Sequence, residues 1–444
     1  MKKVVTRLLA LSVLALPAAA LADTTVNSTT IFRSFQDNRT GFEKRQYAPI
    51  TQFLGVDIDK LGDGNLSLHL YGWGRMDLAD KSYNEDRVDG ALTYGYAQYH
   101  FKEANAQASL GRLYVNEGIV SEQVDGLSVR TDLPYGFGIS AFGGATVKTD
   151  NLPGEETDGK GGGSFGGRLN YRYGGKLELG LSGVYESSAP GINNLQLVRE
   201  GKFGSHRLVG GDIWFAPHSK VDLMGHTSYN TETRRVAEHS YLVNVRPVQD
   251  LVLSGEFNEQ NERDLFFSSI FFAGLVERLS DKSRSFGTRA SYQLNKVTEL
   301  TGDYKHYRRD LGQADRFGGD LRLSLLDKAL RTGVGYHYLR SSPDFAVVPT
   351  SNASGSFHEA RGFAMYNAKQ YFTALDAIGY FFKEDINGRP RAVELIGSLG
   401  YHLTPSLSLS GDLSYGSNPR FVDEVQGLIR LTYNKTFTGK GGTK

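Results

Sequence analysis

The chain is 444 residues long, with 50 Lys and Arg against 49 Asp and Glu, so no basic surplus points to nucleic acid and no acidic surplus points to a solvating disordered tail. It has no cysteine, which excludes a disulfide framework, a CxxCH haem attachment and a thiolate metal site. Glycine occurs 53 times, about 12% of the chain against an average of about 7%, beside 24 tyrosines and 25 phenylalanines.

In chain order, Lys2, Lys3 and Arg7 precede the apolar run Leu8 to Leu16 and the small-residue site Ala20-Leu21-Ala22. This is the pattern of an export signal over residues 1–22, with the remaining chain, 23–444, expected to form one domain. After that run, no stretch reaches the roughly 18 apolar residues that a membrane-spanning helix needs.

From there on, hydropathy alternates with period two in segments of about ten residues, the length of a tilted transmembrane strand. Leu66, Leu68, Leu70 and Met76 alternate with Ser67, His69, Tyr71 and Arg75, and Leu177, Leu179 and Leu181 with Lys176, Glu178 and Ser182. Further on, Leu251, Leu253 and Phe257 oppose Val252, Ser254 and Glu256, and Leu407, Leu409 and Leu413 oppose Ser408, Ser410 and Asp412. Short turns rich in Gly, Pro, Asp and Ser separate some segments: Leu133 to Gly136, Tyr173 to Lys176, Pro217 to Lys220, Pro247 to Asp250 and Thr404 to Ser406. Longer connections are expected near 148–163, 188–204, 261–283, 341–356 and 384–390.

The pattern predicts an all-β, closed antiparallel transmembrane β-barrel of about 22 strands, with about 18 to 20 as alternatives. Its first strand is expected over Thr29 to Asp37, with short periplasmic turns and longer extracellular loops. The last segment alternates Ile429, Leu431 and Tyr433 with Arg430, Thr432 and Asn434 before Phe437. It resembles the C-terminal assembly signal of outer-membrane barrels, although Thr438 to Lys444 follow the phenylalanine.

By this pattern the chain resembles the outer-membrane porin class of Gram-negative bacteria, without a motif of any single family. The resemblance implies the cell outer membrane as location, contact with lipid and lipopolysaccharide, recognition of the last strand by the barrel-assembly machinery, and no cofactor. It implies passive diffusion of small hydrophilic solutes or ions, without a separate plug domain. Chains of this kind also serve as barrels of porin-cytochrome conduits, so a scaffold sheathing a multihaem cytochrome for electron transfer is the second expectation. A channel for apolar compounds is the third.

Alternation places a balanced set of charges on the lumen side: Arg75, Asp77, Lys176, Glu178, Glu238, Arg246, Glu256, Arg289, Asp303, Lys305, Asp320, Arg322, Glu394, Asp412 and Arg430. Such residues tune which ions pass, although for each one a wall-stabilising cross-strand pair is the commoner role. His69, His226, His337 and His402 fall on the same side. The connection after Asn261 holds Phe266, Phe267, Phe271 and Phe272, an apolar loop that could form a constriction, dock a protein, pack on the outer leaflet or simply extend the wall. The acidic loop Lys148 to Gly163 carries Asp150, Glu155, Glu156 and Asp158, oxygen ligands without the spacing of a calcium loop. Neither GxSxG nor HExxH organises the scattered histidines, so no enzyme is expected. Tyr94, Tyr96, Tyr99, Phe101, Tyr336 and Tyr338 are read as members of aromatic girdles at the membrane interfaces.

Overall fold

The structure is a computed structural model that describes residues 23–37, 45–79, 87–147, 162–190, 203–232, 234–261, 282–309, 312–342, 355–419 and 423–438. The leader over 1–22, the loop bearing Phe266, Phe267, Phe271 and Phe272, and the acidic residues of the 148–163 loop lie outside the described residues.

Strands β1 (Asp23–Asp37), β2 (Arg45–Tyr47), β3 (Pro49–Leu61), β4 (Leu66–Asp77), β5 (Val88–Phe101), β6 (Ala106–Glu117) and β7 (Val120–Asp132) open the sheet. It continues through β8 (Phe137–Thr146), β9 (Gly163–Tyr173), β10 (Leu177–Pro190), β11 (Phe203–His218), β12 (Val221–Asn230), β13 (Arg235–Val245), β14 (Leu251–Asn261) and β15 (Lys282–Gln293). Strands β16 (Thr298–Arg309), β17 (Gly312–Leu325), β18 (Leu330–Ser341), β19 (Phe357–Asn367), β20 (Tyr371–Ile386), β21 (Arg389–Thr404), β22 (Leu407–Ser417) and β23 (Asp423–Phe437) complete it.

From β3 onward each strand pairs antiparallel with the next, and β1 pairs with both β3 and β23, which closes the sheet on itself. The short β2 pairs only with Phe35 to Asp37 of β1 and is separated from β3 by Ala48 alone. Counted as one stave with β3, it leaves a closed barrel of 22 strands. The first strand begins at Asp23, ahead of the expected Thr29.

Alternation then sorts the side chains. Leu181 faces Leu169 across one pair and Leu110 faces Leu127 across another, and all four are exposed on the outside, as are Val334, Leu399 and Leu413. A continuous apolar exterior of this extent is costly in water and favourable in lipid. The opposite face is polar and charged. A closed barrel coated this way is the architecture of the outer membrane, and the chain is an outer-membrane barrel.

The connections differ in kind at the two ends. At the end shared with Asp23 and Phe437, all turns are short. The Tyr173–Lys176 turn has Gly174 and Gly175 at φ 54° and 62°, and the Lys176 amide donates to the Tyr173 carbonyl at 2.9 Å. Glycine takes that left-handed geometry without steric cost, and it matches the twist of the flanking strands. In the turn after β3, Asp63 accepts from the backbone and side-chain amides of Asn65, which hold its carboxyl below the usual range. The other end is less uniform than expected. The 384–390 segment is no loop: β20 and β21 run through it, Ile386 pairs with Arg389, and Asn387 and Gly388 make a tight turn at φ 52° and 74°. On this same side, Gly118 and Ile119 alone join β6 to β7.

Candidate functional site

That two-residue connection caps a hairpin which leaves the wall. Strand β6 pairs with β5 only from Ala106 to Arg112, and β7 pairs with β8 only from Val124 onward. Between these points, residues 113–123 pair with each other and have no register partner in β5 or β8, and the seam closes where the Val147 amide, just past β8, donates to the Gln123 carbonyl at 3.1 Å. The bend begins at Gly111, where φ is 133° and an added Cβ would lie 2.3 Å from the Gly95 carbonyl oxygen. Side chains bridge the seam that the departure opens. Arg112 Nη1 donates to the Leu92 carbonyl at 2.9 Å, and Gln123 Nε2 donates to the carbonyl of Thr93.

The freed hairpin lies against the inner face of the wall. Leu113, Val115, Val120 and Val124 pack with Phe142 of β8, Val184 of β10, Leu208 of β11 and Ala237 of β13 in one buried cluster. These wall residues alternate with exposed outward ones, such as Leu181 and Val209, and so point inward. Apolar side chains on a wet inner wall are unfavourable unless covered, and the hairpin covers them. Burying each aliphatic side chain contributes about 1.5–3 kcal/mol. At the tip, the Ile119 amide donates to Ser182 Oγ at 3.2 Å.

Beside the tip is a charged cluster on β9 to β11. Arg168, 9% exposed, donates through Nε and Nη2 to both carboxylate oxygens of Asp212 and through Nη2 to Glu178 at 2.9 Å. Its Nη1 lies 4.0 Å from Glu117 at the end of β6, which ties the hairpin to the wall. Arg172 continues the network, with Nε 3.1 Å from Glu178 and Nη1 3.2 Å from Asp132. A guanidinium forks onto carboxylates in this way because its donors are coplanar and fixed. A cavity of about 610 Å³ opens here, lined by Arg130, Arg168, Arg172, Glu178, Asp212 and His226 among others. Such a surface, with guanidinium and carboxylate groups side by side, can hold polar or zwitterionic solutes by exchanging ion-pair partners.

The expected lumen residues distribute around the same face. Arg75 lies 3.8 Å from Asp89, and Asp77, 2% exposed, accepts from the amides of Ala48 and Ala79. Glu178 belongs to the Arg168 cluster, Glu238 meets His226 at 3.0 Å and Arg246, just beyond β13, meets Asp222 at 2.6 Å. Lys176 sits in the turn between β9 and β10, at the rim. Glu256 and Lys305 pair at 2.5 Å, and Asp412 and Arg430 at 3.2 Å. By register Arg289 stands opposite Asp303, Arg322 opposite Glu299 and Glu394 opposite Ile378. Asp303 and Asp320 join His337, Arg316 and Glu359 in a second cluster on β16 to β19. His69 bonds Asp57 at 2.8 Å, and His402 shares the inward face of β21 with Glu394.

Two aromatic assignments need correction. Tyr94 and Tyr96 are not girdle residues: Tyr94 stacks on Tyr71 and Tyr96 on His69, both on the inward face. Tyr99, Phe101, Tyr336 and Tyr338 have the opposite parity and face outward. The hairpin and Arg168, Arg172, Asp212 and Glu117 were absent from the sequence reading. The available signal was the pair of glycines, Gly111 and Gly118, framing an apolar run on the loop side.

No family model and no curated protein matches the chain. Among solved structures it is similar to the ferric enterobactin receptor PfeA of Pseudomonas aeruginosa in complex with BCV-L6, at 11% identity, covering 94% of this chain and 82% of that one, with a TM-score of 0.54. It is also similar to the siderophore receptor PirA of Acinetobacter baumannii, at 11% identity over 92% of this chain and 80% of that one, TM-score 0.52. At these identities the likeness is one of fold.

Proposed function

We propose that the barrel is a passive conduit for small hydrophilic solutes across the outer membrane, narrowed on one side by the β6–β7 hairpin and the Arg168 wall beneath it. The observation that carries this reading is the hairpin itself: eleven residues, 113–123, withdrawn from the sheet and packed inside the cylinder. Charges on both sides of the resulting passage are nearly balanced, which favours weak selectivity among ions. Such a role asks for no cofactor and no catalytic group. Lipid and lipopolysaccharide then surround the exterior, and the assembly machinery reads the final strand. The test is single-channel conductance in planar bilayers. The folded barrel is expected to conduct, and a variant with 113–123 replaced by a short Gly-Ser turn to conduct in larger steps. A folded barrel without conductance overturns the reading.

Width favours a second reading. Staves spaced about 4.8 Å apart and tilted about 40° give 22 strands a backbone circle of roughly 45 Å, of which the hairpin occupies one sector. The remaining breadth suits a scaffold around a partner chain, such as a multihaem cytochrome supplied separately. Haem absorbance co-purifying with the barrel from its native membrane supports the scaffold, and its absence counts against it. The apolar channel rests on Phe266, Phe267, Phe271 and Phe272, outside the described residues.

A further inference from the structure

On the inner wall of β16 to β18, away from the hairpin, we infer a divalent-metal site formed by Asp303, Asp320 and His337. One ligand atom from each lies within 4.8 Å of the others. The chain has no cysteine, so imidazole and carboxylate are the donors available, a set that suits zinc, manganese or ferrous iron.

The register builds the cluster. Asp303 stands opposite Gly318, Gly318 opposite His337, and Asp320 lies two residues along the same face. A Cβ at Gly318 would come within 2.4 Å of His337 Cδ2, and one at Gly335 within 2.2 Å of Asp320 Oδ1. Both glycines clear the floor on which the donors converge.

Surrounding groups then aim them. His337, 5% exposed, points Nε2 at Asp303 Oδ1, 2.9 Å away, while Nδ1 faces Glu359 at 3.7 Å. A carboxylate behind the distal nitrogen of an imidazole is the usual outer support of a metal-binding histidine. Arg316 holds the other oxygen of Asp303 at 3.0 Å and reaches Glu359 at 3.5 Å, which leaves Oδ1 directed at the centre. Asp320 makes no hydrogen bond or ion pair among the described residues. Three carboxylates thus surround His337, with Arg316 paired to Asp303 and Glu359 and Arg289 opposite Asp303 by register, and Asp320 is the carboxylate left to meet a cation. Donors around tetrahedral zinc sit about 3.4 Å apart, so a small inward movement of Asp320 completes the set, with a fourth position open to the lumen.

The test uses the purified, folded barrel, stripped with chelator and titrated with zinc by calorimetry, with metal content measured after dialysis. One zinc per chain is expected. Asp320→Asn, which removes a half-exposed charge without a partner, and His337→Gln are each expected to weaken binding more than tenfold, and Glu359→Gln to weaken it roughly tenfold. Asp63→Asn, in the turn after β3, is the control. Heat-modifiable migration on gels verifies that every variant is folded. No stoichiometric zinc in the wild type, or equal affinity in Asp320→Asn and Asp63→Asn, overturns the site and shows His337 and Asp303 to be a wall-stabilising pair.

Discussion

Arg168 shows how much one side chain can organise inside a barrel. It is nearly enclosed and holds Asp212 and Glu178 in direct hydrogen bonds, with Glu117 of the hairpin at 4.0 Å. Arg168→Ala leaves Asp212 without its counter-charge while Glu178 keeps Arg172, and breaking a buried pair in this way costs roughly 3–5 kcal/mol. Urea unfolding from detergent micelles should show the loss, and Arg168→Lys should recover only part of it, because an ammonium cannot fork onto two oxygens. Gly118 is the matching steric test. Its φ is 62°, and a Cβ there would lie 2.7 Å from both Asp212 Oδ2 and Ser182 Oγ. Gly118→Val is expected to lift the tip and raise unit conductance in planar bilayers, while the barrel stays folded. The inward charges were legible because period two assigns a face to each residue once a neighbour is known to be outside. Which inward charges meet was not legible, since Arg168 and Asp212 are 44 residues apart and are joined only through the register of β9, β10 and β11. Tyr94 and Tyr96 were misread because composition places aromatics at membrane interfaces, whereas parity, through Tyr71 and His69, places these two inside.

Among the elements, β10 displays both environments of the wall. Leu181 is 66% exposed on the lipid side, and Ser182 beside it receives the hairpin tip. Leu181→Arg should cost about 2–4 kcal/mol if it lies near the bilayer midplane, measured by equilibrium folding into liposomes, whereas Arg289→Leu on the opposite face should change stability much less. Strands and short turns were readable because alternation and Gly or Pro signals coincide there. The 384–390 segment was read as a loop from its charges, although Asn387-Gly388 is a strong hairpin signal. The charged residues before it, Glu384 and Asp385, belong to β20, which runs up to that turn. The inward hairpin was hidden for a different reason: apart from Gly111 and Gly118, little in β6 and β7 sets them off from other pairs, and what distinguishes them is that residues 113–123 lack register partners in β5 and β8.

At the scale of the whole molecule, the closure between β1 and β23 sets the result. Thr24 stands opposite Phe437, and the pairing runs unbroken from there to Ser34 opposite Gly427. Leu431 lies in this seam, bonded toward Thr30 on one side and Leu409 on the other. Leu431→Pro removes a backbone donor from a strand paired on both edges, and is expected to abolish the heat-modifiable folded form on gels. The seam also dictates when the cylinder can exist. The two strands that complete it are the first and last of the sheet, so loop-closure entropy for nearly the whole chain is spent in a single late event. Before that event the sheet is a ribbon with two raw edges, each a template for aggregation. Residues of β1 and β23 therefore govern how long the chain survives in transit, and defects there should appear as lost yield long before they appear as altered passage.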